Sequence, residues 1–155
     1  MKTALCSDVL KALEGKTLAT AESLTGGGIG AAITAVSGAS SVYKGGVVSY
    51  TNAVKHQVLG VPSDVLERFG AVSEQTARAM AQGVRELLKA DVAVSVTGLA
   101  GPGGDEFGNP VGTVFIGYAD DRNLRVKHCL FSGTRREIRE QTIETALKLI
   151  LEQQV

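Results

Sequence analysis

The chain has 155 residues, a length that suits one domain and buries a core without disulfide or metal staples. Sixteen Lys and Arg balance sixteen Asp and Glu, and aromatic residues make up only 5%, so neither the basic footprint nor the stacking surface of a nucleic-acid binder is present. Its two cysteines, Cys6 and Cys129, belong to no CxxC or Cys/His cluster, and no apolar run approaches the ~18–20 residues of a membrane span. Zinc, disulfide and membrane-spanning classes therefore drop out, and the expectation is a cytoplasmic protein.

In chain order, Leu5, Val9, Leu10 and Leu13 share one face at helical spacing and Gly15 follows them. With Asp8, Lys11 and Glu14 interspersed, this segment reads as an amphipathic helix rather than a secretory signal. Thr17 to Ala21 is the first predicted strand. It enters the turn Glu22-Ser23-Leu24-Thr25-Gly26-Gly27-Gly28, and a helix to about Val36 follows. Gly45 to Tyr50 is the second strand. Asn52 is placed to cap a short helix that carries Lys55 and His56 and stops at Gly60. Pro62 opens another helix, which ends at Phe69-Gly70.

Ser73 caps a long helix with Glu74 in its first turn and Ala77, Met80, Ala81, Val84, Leu87 and Leu88 as its apolar stripe. Asp91 to Thr97 is apolar almost throughout, as a buried parallel strand would be. Gly98 to Pro110 is a glycine-rich loop, long enough to suggest function. Gly112 to Ala119 and Leu124 to Phe131 form a hairpin through Asp120-Asp121-Arg122-Asn123. Thr134 with Glu137 makes a capping box for the last helix, whose buried side carries Ile138, Ile143, Ala146, Leu147 and Ile150. The order predicts an α/β, three-layer sandwich: a mixed, mostly parallel sheet with helices on both faces and one antiparallel hairpin, in a single domain over 1–155.

Several polar residues fall in the predicted turns. A helix N-terminus at the first turn offers free N–H groups to an anion or a developing oxyanion. Ser23 there is either a nucleophile or an N-cap, and its position alone favours the cap. Lys55 is either a solvated helix residue or, if desolvated, a general base for a serine. Tyr50 could relay a proton. Thr97 ends a buried strand, where ligands of open α/β sheets bind. Arg135 and Arg139 are four apart at the start of the last helix and could clamp a phosphate. His56 and His128 read as surface residues, and no G-x-S-x-G supports a histidine triad.

Six ordered blocks carry a resemblance: Ala21 to Gly27, Ser49 to Lys55, Gly70 to Glu74, Thr97 to Gly104, Pro110 to Val114 and Phe131 to Arg135. Together the chain resembles the CinA C-terminal domain family over about residues 5 to 152, in its stand-alone form. The resemblance implies a nicotinamide-nucleotide amidohydrolase. Such an enzyme hydrolyses the carboxamide of nicotinamide mononucleotide to nicotinate mononucleotide and ammonia in pyridine nucleotide recycling. It implies Ser23 as nucleophile with Lys55 and Tyr50 as its catalytic partners. It also implies a substrate site drawn from Thr25, Gly26, Gly27, Thr97, Gly98, Gly101, Arg135 and Arg139. No metal or cofactor is implied; the partner is a small-molecule nucleotide, with no nucleic acid or membrane, and a homodimer is expected. Under this reading Thr25 takes over the capping role and leaves Ser23 free to react. Leu24, Thr134 and Asn109 depart from the family's frequent Cys, Asp and Lys. The Leu24 and Thr134 departures keep open the alternative of a catalytically inactive nucleotide-binding or regulatory module, and Asn109 removes a positive charge from the loop.

Overall fold

The computed structural model describes residues 2–155. Five strands form one sheet: β1 (Leu18–Glu22), β2 (Tyr43–Val48), β3 (Val92–Gly98), β4 (Thr113–Ala119) and β5 (Leu124–Leu130). Their spatial order is β2-β1-β3-β4-β5. β1 pairs parallel with both β2 and β3, and β4 pairs antiparallel with both β3 and β5. Every strand except β4 therefore points the same way, and the mixed, mostly parallel α/β sheet is as the sequence predicts.

The helices are α1 (Lys2–Ala12), α2 (Gly28–Thr34), α3 (Asn52–Gln57), α4 (Ser63–Phe69), α5 (Glu74–Leu88) and α6 (Arg135–Gln153), with a short 3-10 turn at Ala39–Ser41. One face of the sheet, with Leu18, Val92, Val94, Val96, Ile116 and Tyr118, packs against α1, α2 and α6. The other face carries Ala19, Ala21 and Ala93 and packs under α5 and α4. The two faces differ in side-chain size for a reason. The strands next to α5 carry small residues, so that helix sits close enough for Ser95 Oγ to donate to the Ala77 carbonyl at 2.6 Å. A Cβ on Gly117 would stand 2.6 Å from that same carbonyl, so only glycine fits there.

The element boundaries mostly follow the sequence reading, with three differences. β2 runs from Tyr43 to Val48 rather than from Gly45 to Tyr50, and just past its end the Ser49 N–H and hydroxyl both reach the Glu22 carbonyl (2.7 and 3.2 Å). Thr51, not Asn52, caps α3 by accepting from the Val54 N–H. Leu87 is 49% exposed, because the α5 stripe is filled by Ala77, Met80, Ala81 and Val84 and the helix turns Leu87 away from the sheet. The Ser73 cap and the Thr134–Glu137 capping box form as expected. No helix among the described residues is long and apolar enough to cross a membrane.

Candidate active site

Three strand ends converge on one edge of the sheet. Ser23 follows β1, Ser49 and Tyr50 follow β2, and Thr97 and Gly98 end β3. These are carboxyl ends of parallel strands, where crossover connections leave a crevice. α3 returns across this edge and carries Lys55 inward. Helix α6 starts beside it with Arg135. The cleft they form measures about 290 Å³ and is lined by Ser23, Tyr50, Asn52, Lys55, Thr97 and Arg135, with the backbone of 98–103 along one side.

Lys55 is only 1% exposed, and no carboxylate among the described residues pairs with it. Its Nζ donates to the Ser49 carbonyl at 2.8 Å, the Tyr50 carbonyl at 3.4 Å and Ser23 Oγ at 3.1 Å. An ammonium has three protons and finds three acceptors here. A neutral amine is equally well placed: two N–H groups keep the carbonyls and the lone pair faces the serine hydroxyl. Burial alone favours that neutral form and lowers the Lys55 pKa from its ordinary 10.5 to about 8. Ser23 is 7% exposed, its N–H fixed on the Val96 carbonyl at 3.1 Å.

The rim is polar. Tyr50 is 60% exposed, and its hydroxyl accepts from Arg135 Nη2 at 3.2 Å; only its backbone carbonyl touches Lys55. Arg135 Nη1 donates to the Gly101 carbonyl, which ties the start of α6 to the glycine-rich loop. Thr97 lines the cleft, but its hydroxyl donates to the Ala71 carbonyl at 2.7 Å. Asp105 holds the loop from within: its carboxylate accepts from the N–H groups of Phe107 and Asn109. Asn109 Nδ2 in turn donates to the Val72 carbonyl at 3.2 Å.

Thr25, Gly26, Gly27 and Arg139 do not line the cleft. Thr25 does not cap α2 either. The N-cap position is Gly27, whose φ of 99° is left-handed and whose side chain can cap nothing. The capping group is one the sequence reading passed over, the carboxylate of Glu22. It accepts from the Ile29 N–H at 2.8 Å, the Gly30 N–H at 3.1 Å and the Thr25 hydroxyl at 2.6 Å. A carboxylate at the first turn of a helix is favourable, and this one fills the place where the sequence reading put a substrate anion. The signal was present in the sequence: three glycines leave the helix without a capping side chain, and an acid stands six residues upstream of its first residue. Arg139 turns to the same turn, with Nε on the Leu24 carbonyl at 2.9 Å and Nη2 on the Thr25 carbonyl at 3.2 Å. Of the two arginines proposed for a phosphate, only Arg135 reaches the cleft.

The model of the CinA C-terminal domain matches residues 2–154. A CinA-like protein of Endomicrobium trichonymphae is 49% identical over 135 residues, which are 87% of this chain and 32% of that protein. The chain spans about a third of the length of the curated relatives it matches. Among solved structures, a competence-damaged protein (CinA) superfamily protein from Klebsiella pneumoniae superimposes with a TM-score of 0.97 at 33% identity, covering 99% of this chain and 98% of that one. The competence/damage inducible protein CihA from Agrobacterium tumefaciens gives a TM-score of 0.94 at 39% identity, covering 97% and 94%.

Proposed function

The chain belongs to the CinA C-terminal domain family, and from that premise we propose that it hydrolyses the carboxamide of nicotinamide mononucleotide to nicotinate mononucleotide and ammonia. The observation that carries this reading is the buried, carboxylate-free Lys55 whose Nζ lies 3.1 Å from Ser23 Oγ. A lysine so placed is costly as a buried cation without a counter-charge, more than two carbonyl contacts repay. As a base for a serine it has a use.

Neutral Lys55 takes the hydroxyl proton as Ser23 Oγ bonds to the carboxamide carbon. The oxyanion that forms is held by backbone N–H groups after Ser23. Leu24 lines the cleft, and its N–H makes no backbone hydrogen bond among the described residues. One such donor is commonly worth about 3 kcal/mol of barrier. The C–N bond then breaks, and the Lys55 ammonium returns its proton to the leaving nitrogen, which departs as ammonia. Water attacks the acyl-serine in the second half, giving its proton to Lys55 and then to Ser23 Oγ. The substrate's pyridinium withdraws electrons from the amide, and its positive charge near Lys55 favours the neutral amine. Arg135 and the Tyr50 hydroxyl stand at the rim, suited to the phosphate and ribose end.

Ammonia release from nicotinamide mononucleotide by wild type, Ser23→Ala and Lys55→Ala tests this directly. Wild type should turn over and both variants should fall at least about a thousandfold in kcat. A Ser23→Ala protein with wild-type turnover would remove the nucleophile. A folded wild type that binds the nucleotide without releasing ammonia would leave a regulatory nucleotide-binding module in its place.

A further inference from the structure

We infer that Glu22 is a positioning residue for the reacting serine, acting through the turn that follows it; this rests on the proposed chemistry of Ser23. Glu22 is adjacent to Ser23 in the chain and 2% exposed. No cation among the described residues pairs with its carboxylate. Every hydrogen bond that carboxylate makes goes to the segment just beyond the serine: Thr25 Oγ1, the Ile29 N–H and the Gly30 N–H. It binds the turn to α2 from the side of its donors, while Arg139 binds the turn's carbonyls at Leu24 and Thr25 from the other side.

The residue's main chain reaches the base as well. The Glu22 carbonyl accepts both the N–H and the hydroxyl of Ser49, and the Ser49 carbonyl is the shortest contact of Lys55 Nζ. Glu22 thus lies between nucleophile and base, contacting neither reacting atom. The turn needs such a hold. Gly26 and Gly27 both have left-handed φ, 59° and 99°, and two successive glycines confer little order of their own. A loosened turn displaces Ser23 Oγ and the Leu24 amide together, and displacements near 1 Å can cost two orders of magnitude in rate.

The experiment compares wild type, Glu22→Ala, Glu22→Gln and Ile150→Val. The last is a mild cavity in α6 far from the cleft, included as a control for destabilisation alone. Two readouts are taken: kcat and KM for nicotinamide mononucleotide, and the rate at which diisopropyl fluorophosphate phosphorylates Ser23, followed by mass spectrometry. The second needs no assumption about the natural substrate. Glu22→Ala should lose about a hundredfold in kcat with KM within about threefold, and the labelling rate should fall in parallel. Glu22→Gln keeps one acceptor oxygen for Thr25 and Ile29 but turns a donor on Gly30, and should fall between. Ile150→Val should keep both rates. If Glu22→Ala does not fold, Glu22→Gln decides on the same split. A folded Glu22 variant with wild-type kcat and labelling overturns the assignment, as does a loss expressed only in KM. A wild type that labels without deamidating removes the substrate reading but leaves Glu22 to be judged by labelling. One that does neither overturns the serine chemistry and the role of Glu22 with it.

Discussion

The turn at 23–28 and the loop at 99–112 are both rich in glycine and both reach the cleft, but they are held differently. The turn is short, with Ser23 to Thr25 buried, and charged side chains grip it: Glu22 takes N–H groups beyond it and Arg139 takes its carbonyls. The loop is longer and more exposed; it is tied at its ends, and Asp105 and Asn109 hold it from within. The Leu99 N–H meets the Thr113 carbonyl, the Gly112 N–H meets the Leu99 carbonyl, and Arg135 reaches over to Gly101. The first arrangement fixes the Ser23 hydroxyl against Lys55. The second presents backbone and one arginine to whatever enters. Chemistry should therefore be sensitive to the turn, and substrate choice to the loop.

The largest expected effect comes from Lys55, the proposed base that the turn faces. Lys55→Met keeps the stem of the side chain and removes the amine, and kcat should drop at least about a thousandfold. The wild-type rate should rise with pH through about 8, as the amine loses its proton. The same group sets a stability trend of opposite cause. Folded, the amine titrates near 8; unfolded, it titrates near 10.5. Below 8 it is charged in both states and its burial penalty is complete. Between 8 and 10.5 the unfolded chain binds the extra proton, so through this group rising pH stabilises the fold, by up to about 3 kcal/mol. Denaturant melts of wild type and Lys55→Met across pH 7 to 10.5 should converge as pH rises, with the variant the more stable at pH 7. A difference between wild type and Lys55→Met that is flat over this window would show the lysine to be solvated; the thiols of Cys6 and Cys129, their pKa values raised by burial, act on both proteins alike.

Next in size is Gly27→Ala. At φ 99° an alanine is strained by about 1–2 kcal/mol, and relief would rotate the turn that carries Ser23. The expectation is a loss of about tenfold to a hundredfold in kcat with KM little changed, measured in a protein that still melts cooperatively. A variant with full kcat would mean that the turn tolerates movement and that the contrast with the loop is wrong.

What the sequence made legible follows the same division. Periodicity located the helices, and caps marked α5 and α6, because those signals are local: Ser73 and Thr134 act on groups three residues away. Ser23, Lys55 and Arg135 were legible through the ordered motifs, and the fold does bring them to one cleft. Asn109, a departure from the family's frequent lysine, turns out to pin the loop to the Val72 carbonyl. Long-range partners were not legible. The cap of α2 comes from a strand residue seven positions before Ile29, across a turn whose path depends on two left-handed glycines. Arg139 meets a carbonyl 115 residues away. Helical spacing put Arg135 and Arg139 on one face, but it could not say that the turn of α6 between them directs one to the cleft and the other to the turn after Ser23.

The loop's predictions are smaller and fall on KM. Arg135→Ala should raise KM for nicotinamide mononucleotide about tenfold at nearly constant kcat, and should change KM much less for the riboside that lacks the phosphate. An equal loss on both would place Arg135 in the shaping of the loop, through Gly101, rather than on the phosphate. Gly103→Ala is the mildest. Gly103 lines the cleft, an added Cβ there meets nothing within 4 Å, and its φ lies outside the left-handed range. Stability should stay within about 0.5 kcal/mol and both kinetic constants within about twofold. The test gains its force from Gly27→Ala: each variant adds one methyl group to a glycine, one in the turn after Ser23 and one in the loop that lines the cleft. If the two behave alike, the grip of Glu22 and Arg139 does not distinguish turn from loop. If they differ by more than tenfold in kcat, backbone conformation and clamping, rather than glycine content, separate the segment that reacts from the one that selects.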